Sequence, residues 1–212
     1  MSGQPLEGRV VAFIGTGSAS NRALVVALAE AGADLALATT ANEQAQEFAM
    51  NSIANEAWVI AREQFVTVMD ALDDTAVTAF AEEVWDRYGR CDALVCAHDR
   101  PSAVALDELA PHEFRDSADA LLTAPFLAAQ ALGRLMERDG HGRIVFMSFE
   151  RPDSDAGVQA AAAGLAGLAA AIERTWAGRG VHAMALSLRV AADGLLDPVD
   201  SPAGLIAALA GR

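Results

Sequence analysis

The sequence predicts an α/β fold: a doubly wound parallel sheet of about six strands with helices on both faces. Three observations lead there. Short apolar runs alternate with longer helical stretches through the 212 residues, an order that calls for crossover connections and parallel pairing. The runs lack strict apolar–polar alternation, as expected of strands covered on both sides. The turn after the first run is built of small residues and opens directly into a helix.

Each element follows in order. Arg9 to Ile14, RVVAFI, reads as the first strand, and Gly15 to Ser20, GTGSAS, as a tight turn. Arg22 to Ala31 is a helix ended by Gly32, because glycine suits the position just past a helix C-terminus. Asp34 to Thr39 is the second strand, and a helical stretch runs from about Ala41 to Arg62. Phe65 to Met69 is the third strand and Asp74 to Tyr88 an amphipathic helix. Asp92 to Ala97 is the fourth strand, Asp119 to Arg138 a helix and Arg143 to Met147 the fifth strand. Ala156 to Ala177 is a very Ala-rich helix, Val181 to Leu188 the sixth strand and Pro202 to Leu209 a short closing helix. No linker, repeat or low-complexity tract divides the chain, so one domain is expected over residues 1–212.

Composition narrows the function. A net charge of −14 argues against nucleic acid and anionic membranes, which attract basic surfaces. No apolar run approaches the roughly 18 residues of a membrane span, and the polar stretch Met1 to Arg9 has no signal-peptide pattern. A cytoplasmic protein with no membrane partner is expected. Cys91 and Cys96 flank one strand, whose extended backbone holds them too far apart to bridge, so both are expected to be plain thiols. His98, His112, His141 and His182 are scattered, no cluster has zinc-site spacing, and no metal is expected. All 15 basic residues are Arg; the chain has no lysine and a single tyrosine, Tyr88.

The order strand, Gly-rich turn, helix is the opening of dinucleotide-binding units. Glycines let the backbone approach a pyrophosphate, and the helix N-terminus offers it free N–H groups. Gly15, Gly17 and Ser18 hold those positions here. The same pair of glycines also serves as a tight turn with no ligand, and the residues leave both readings open.

Further landmarks occur in a fixed order. They are Val68-Met69-Asp70-Ala71-Leu72-Asp73, Gly89-Arg90-Cys91-Asp92-Ala93-Leu94-Val95, Thr123-Ala124-Pro125-Phe126 and Gly142-Arg143-Ile144-Val145. With the turn, they make the chain resemble the short-chain dehydrogenase/reductase family over residues 9 to about 190. The resemblance implies a Rossmann-type sheet in the order 3-2-1-4-5-6, and an NAD(P) site touching Asp70 and Ala97 as well as the turn. It also shows departures. Ile14-Gly15 holds the Thr-Gly pair of the family's TGxxxGxG, but Ala19 and Asn21 replace its second and third glycines. Strand four ends Cys96-Ala97-His98-Asp99 in place of NNAG. Thr39-Thr40 offers neither the Asp that favours NAD nor the Arg that favours NADP. The expectation is no cofactor or weak NAD(P) binding.

Catalysis in the resembling family uses a Ser, Tyr and Lys set with a helical Asn. The Tyr hydroxyl exchanges a proton with the substrate oxygen, and the Lys charge lowers its pKa from ~10. Alignment through Gly142-Arg143-Ile144-Val145 and Gly164-Leu165 places Phe149 at the serine, Val158 at the tyrosine, Ala162 at the lysine and Leu121 at the asparagine. The absence of lysine excludes the usual pair whatever the alignment. Arg189 to Arg212 leaves room for a short loop and one helix, so the C-terminal substrate region is expected to be truncated.

Two features remain. Ligands of open α/β sheets bind beyond the carboxyl ends of the strands. There His98, Asp99 and Arg100 follow strand four, and Ser148, Glu150 and Arg151 follow strand five. A His with a carboxylate can act as a base, so His98, Asp99 and Ser148 are candidates for an altered chemistry. The plainer alternative is that loops are polar because they are wet. Secondly, the helices 119–138 and 156–177 are apolar or small on more than one side. In the resembling family these two helices meet their counterparts in a four-helix bundle between subunits. The leading expectation is an inactive subunit (a pseudoenzyme) that pairs through them with a homologous, active relative. An atypical NAD(P)-dependent oxidoreductase is the alternative, and a nucleotide-binding sensor a weaker third.

Overall fold

Every residue of the first strand, β1 (Val10–Gly15), is buried, and its side chains divide strictly between two cores. Val10, Ala12 and Ile14 enter one core, Val11 and Phe13 the other, as the two-residue period of a strand requires. The computed structural model describes residues 3–60, 63–191, 193–197 and 201–211. The further strands are β2 (Asp34–Thr39), β3 (Gln64–Thr67), β4 (Ala93–Ala97), β5 (Gly142–Glu150) and β6 (Val181–Arg189). All five pairings are parallel, in the order β3-β2-β1-β4-β5-β6. This is the predicted doubly wound sheet.

The helices are α1 (Ala19–Glu30), α2 (Gln44–Trp58), α3 (Asp74–Tyr88), α4 (Pro111–Ala118), α5 (Ala124–Asp139), α6 (Ala156–Trp176) and α7 (Ala203–Ala210). Residues of α1, α2 and α7 fill one core; residues of α3, α5 and α6 fill the other. The predicted α2 is shorter than expected, and Arg62, its expected end, lies outside the described residues. The helix expected to begin at Asp119 begins instead at Pro111. A π-helical turn, Asp119–Thr123, joins α4 to α5. Pro111 at its first position and a Glu113 side chain accepting the Ala110 N–H at 2.9 Å start it. Its eight residues carry too little apolar pattern to announce it.

The segment Ala156–Arg179 corrects a second expectation. It is long and apolar enough, by length and composition, to cross a membrane. The apolar average comes from alanine, and the helix serves as the crossover between β5 and β6. Gly157, Ala161, Leu165, Ala169 and Ile172 are buried on one side. Cys91 and Cys96 are free and buried, and burial pushes the Cys91 thiol up to about 12. The lone Tyr88 is spent on structure. Its hydroxyl donates to the Leu35 carbonyl at 3.0 Å, at the amino end of β2, and its ring stacks on Phe65.

Asp92 pins β1 to β4 at the amino edge. Its side chain is 2 % exposed, accepts the Val10 N–H at 2.8 Å, and is met by Arg90 and by His141 Nε2 at 3.0 Å. Burial alone would raise its pKa, but Arg90, the Val10 N–H and His141 outweigh burial and hold the carboxyl below its ordinary value. The stability it contributes is therefore complete above the unfolded carboxylate value of about 4 and is lost as pH falls through the lower folded value. Asp92→Asn is expected to cost about 1–3 kcal/mol at neutral pH. Urea denaturation as a function of pH should show the variant approaching wild type as the acid is reached. A constant gap would contradict this account.

Candidate functional site

The strand register brings the carboxyl ends into line: Gly15 pairs with both Thr39 and Ala97. The turn after β1 thus faces the end of β4, and Asn21, the residue at the family's third glycine, fills the gap. It is 0 % exposed. Its Nδ2 donates to the Ala97 carbonyl at 2.9 Å, while its Oδ1 accepts from the Gly17 N–H at 3.1 Å and the Thr16 hydroxyl at 3.3 Å. Gly17 takes φ +77°, a region that glycine enters freely. A Cβ on Gly15 would collide with Asn21 Oδ1, so this glycine is needed to admit the Asn21 side chain.

The neighbouring groups are engaged too. Ser18 caps α1 by accepting the Asn21 N–H at 3.2 Å. Ser20 donates to the Gly194 carbonyl at 3.2 Å, which draws the loop after β6 against the first turn of α1. At the end of β2, Gln46 Oε1 accepts from the Thr40 N–H, the Thr40 hydroxyl and the Ala41 N–H at 3.0–3.1 Å. Gln46 carries no sequence signal of its own; its role depends on where α2 begins. Asp70 shapes its own turn, accepting the Leu72 N–H at 2.9 Å. It also lines, with Thr16, Thr40 and Asp99, a cleft of about 550 Å³. Of the groups the sequence offers a pyrophosphate, the Gly17 N–H and the Ser18 hydroxyl are thus bonded within the turn.

The candidates beyond β4 and β5 are partly brought together. Asp99 and Arg151 form a buried ion pair, with Arg151 Nη2 2.8 Å from Oδ1 and donating to Oδ2 at 3.0 Å. His98 does not join them. Its Nδ1 donates to the Ala120 carbonyl at 2.8 Å, and its Nε2 is buried without a hydrogen-bond partner. Burial outweighs that bond and pulls the imidazole pKa down to about 4, so the ring is neutral over the ordinary range. Ser148 donates to the Leu186 carbonyl at 3.5 Å, and Glu150 turns away to accept the Ser187 hydroxyl on β6. No His–carboxylate pair forms among the three candidates.

The centre between them is almost closed. His98, Asp99, Ser148, Leu121, Phe149 and Val158 surround a cavity of about 20 Å³, bordered also by Ala162, space for about one water. On the β5–β6 side, Ser148, Phe149 and Val158 also border a wider cleft of about 620 Å³. The narrow cavity separates that cleft from the one over β1 and β2. If the Asn21 bridge holds the turn to β4, Asn21→Ala should lower stability by about 1–3 kcal/mol in urea denaturation. A loss below about 0.5 kcal/mol, the range of surface substitutions, would deny it that role.

Comparison with known proteins agrees with the fold. The family model for short chain dehydrogenases matches residues 9–192. The D-threitol dehydrogenase of Mycolicibacterium smegmatis is 27% identical over 186 residues, covering 86% of this chain and 70% of that protein. The crystal structure of a short-chain type dehydrogenase/reductase from Mycobacterium marinum superposes with a TM-score of 0.81 at 20% identity, covering 97% of this chain and 87% of that one. At that identity the likeness speaks for the fold alone, and the match over residues 9–192 carries the assignment. Despite its filled turn and altered strand ends, the chain belongs to the short-chain dehydrogenase family.

Proposed function

We propose that this chain is a catalytically inactive subunit of the short-chain dehydrogenase fold, a pseudoenzyme that pairs with an active relative in a hetero-oligomer. One observation carries the reading. The place where family members align cofactor and substrate is reduced here to about 20 Å³, an order of magnitude below the roughly 300 Å³ at which ligand pockets begin. Leu121, Phe149, Val158 and Ala162 stand at the positions of the family's proton-handling groups, and they are apolar. Asn21 occupies the turn that should receive a pyrophosphate, so NAD(P) binding is absent or weak.

The pairing surface is the α5–α6 face. Phe126, Leu168, Ala171 and Trp176 line an apolar groove of about 210 Å³ between the two helices, and Phe126 is 43 % exposed. A soluble surface seldom leaves such a groove uncovered. The expected outcome is that the purified chain gives no NAD(P)H-linked carbonyl turnover. It should co-purify with a relative carrying an intact Tyr/Lys pair, and lose that partner when Phe126→Asp is introduced. Turnover by the polypeptide alone, or unchanged pairing by the variant, would overturn the reading.

A second reading, an oxidoreductase working through His98, Asp99 and Ser148, has one observation in its favour: the unpartnered His98 Nε2. A ring with a pKa of about 4 is a weak base at neutral pH. On this reading His98→Ala abolishes turnover; on the leading one there is no turnover to lose. Steady-state assay of both proteins separates them.

A further inference from the structure

β6 ends the sheet on one side. The Val190 N–H donates to the Glu150 carbonyl, and the Gly180 carbonyl accepts the Gly142 N–H. Even-numbered residues along this strand therefore turn their backbone groups to β5, and odd-numbered ones turn theirs outward. Two outward groups are already met. The Ala183 N–H donates to Glu173 at 2.9 Å, and the Arg189 carbonyl accepts the Asp197 N–H at 2.9 Å. Between these stops the outward N–H and C=O groups of Ala185 and Ser187 have no partner among the described residues. A bare row of this kind is a template for another strand. A cleft of about 620 Å³ runs beside it, and the α6 residues it shares with Ala185 and Ser187 include Ala162, Ala163 and Ala166, which leave room for an incoming backbone.

The side chains of this stretch match in both directions. About Ala185, small Ala183 corresponds to small Ser187, and large Met184 to large Leu186. Ala183 and Ala185 pack on the core under α6, Met184 and Leu186 on the other core, and all four are partly exposed. A twofold contact requires such self-complementarity, because residue i of one copy meets j of the other and j meets i. In an antiparallel pair centred on Ala185, Ala183 falls opposite Ser187 and Met184 opposite Leu186. Small side chains then meet small ones on the α6 face, and the apolar pair covers itself on the other face. Charge agrees at the ends. Glu173, with its Oε1 2.8 Å from His182 Nδ1, stands at one end of the stretch. Arg189 stands at the other, beside Glu150, which accepts the Ser187 hydroxyl. The twofold brings the two ends together, so each corner sets a guanidinium and an imidazole against two carboxylates.

We propose that the open edge of β6 pairs antiparallel with the same strand of a second copy of this chain, joining two six-stranded sheets into one continuous sheet. Ala185 exchanges N–H and C=O with its counterpart. Glu173 releases the Ala183 N–H to the Ser187 carbonyl of the second copy and turns to that copy's Arg189. The seam lies apart from the α5–α6 groove, so one subunit can hold a relative through the groove and its own copy through the edge. A seam this short predicts a dimer that dissociates on dilution.

Sedimentation velocity of the purified full chain at about 1–100 μM tests it, and a concentration-dependent monomer–dimer equilibrium is expected. Ala185→Pro should be monomeric. The N–H it removes faces outward, so pairing with β5 survives and the circular dichroism spectrum should match wild type. Phe126→Asp, in the α5–α6 groove, should leave the dimer intact. Ala185→Cys gives a readout that does not depend on tolerance of proline. Opposed residues at such a position lie about 5.5 Å apart between Cα atoms, within disulfide reach, and Cys91 and Cys96 are buried. Mild oxidation should yield a covalent dimer from Ala185→Cys and none from Ala45→Cys, exposed on α2. A chain that stays monomeric up to about 100 μM would overturn the proposal. So would a dimer that survives Ala185→Pro or is lost with Phe126→Asp, or equal cross-linking by the Ala45 control. Ala185→Cys linking to a co-expressed relative in place of its own copy would assign the edge to another partner and overturn it too.

Discussion

Each side chain of Val10 to Ile14 in β1 and of β4 enters one or other of two cores, and a parallel sheet covered on both faces leaves little room for anything else. Polar groups are pushed to the two edges where the strands end. At the amino edge Asp92 gathers Arg9, Arg90 and His141 and closes the sheet. At the carboxyl edge the strand ends stand level, and whatever follows them decides what the molecule can bind. The fold therefore supplies a location, while the chemistry rests with the loop residues set there.

At that edge the chain turns its hydrogen-bonding capacity inward. Asn21 spends both ends of its amide on Gly17 and Ala97, Gln46 ties up Thr40 and Ala41, and Ser20 holds Gly194. Breaking these bonds without replacing them would leave buried groups unmet. Leu121, Phe149 and Val158 close the centre with apolar bulk. His98 stands apart from this economy because one ring nitrogen stays unsatisfied.

Much of this was legible in the residues. The strand count and the extents of β2 and α3 follow from apolar runs and helical periodicity, and the strand order from the resemblance to the family. The loss of the proton-transfer pair needs no alignment at all, because no lysine exists to hold. Other features were hidden for physical reasons. The α4 helix carries Ser117 as its one buried residue, so it lacks the periodic apolar stripe by which helices are found. The juxtaposition of His98 and Asp99 suggested a base and its carboxylate, but successive residues point apart. The ring finds a backbone carbonyl from another element, and Asp99 finds an Arg 52 positions away. Gln46 acts through tertiary geometry that no local pattern encodes.

The π turn between α4 and α5 has a consequence for how one long rod of backbone can serve two surfaces. In an α-helix each residue advances by about 100°, so a stripe begun at Pro111 would continue straight into Asp139. Widening one turn at Asp119–Thr123 resets the angular phase. Asp116 before it lines the cleft at the strand ends, while the apolar positions after it look toward the sheet and the outer α5–α6 groove. Wide turns of this kind often sit at functional positions, and a carbonyl of this one, the Ala120 oxygen, accepts from His98. Shortening this stretch by a single residue would rotate the two halves against each other, so sequence length here is bound to surface chemistry as tightly as residue identity is.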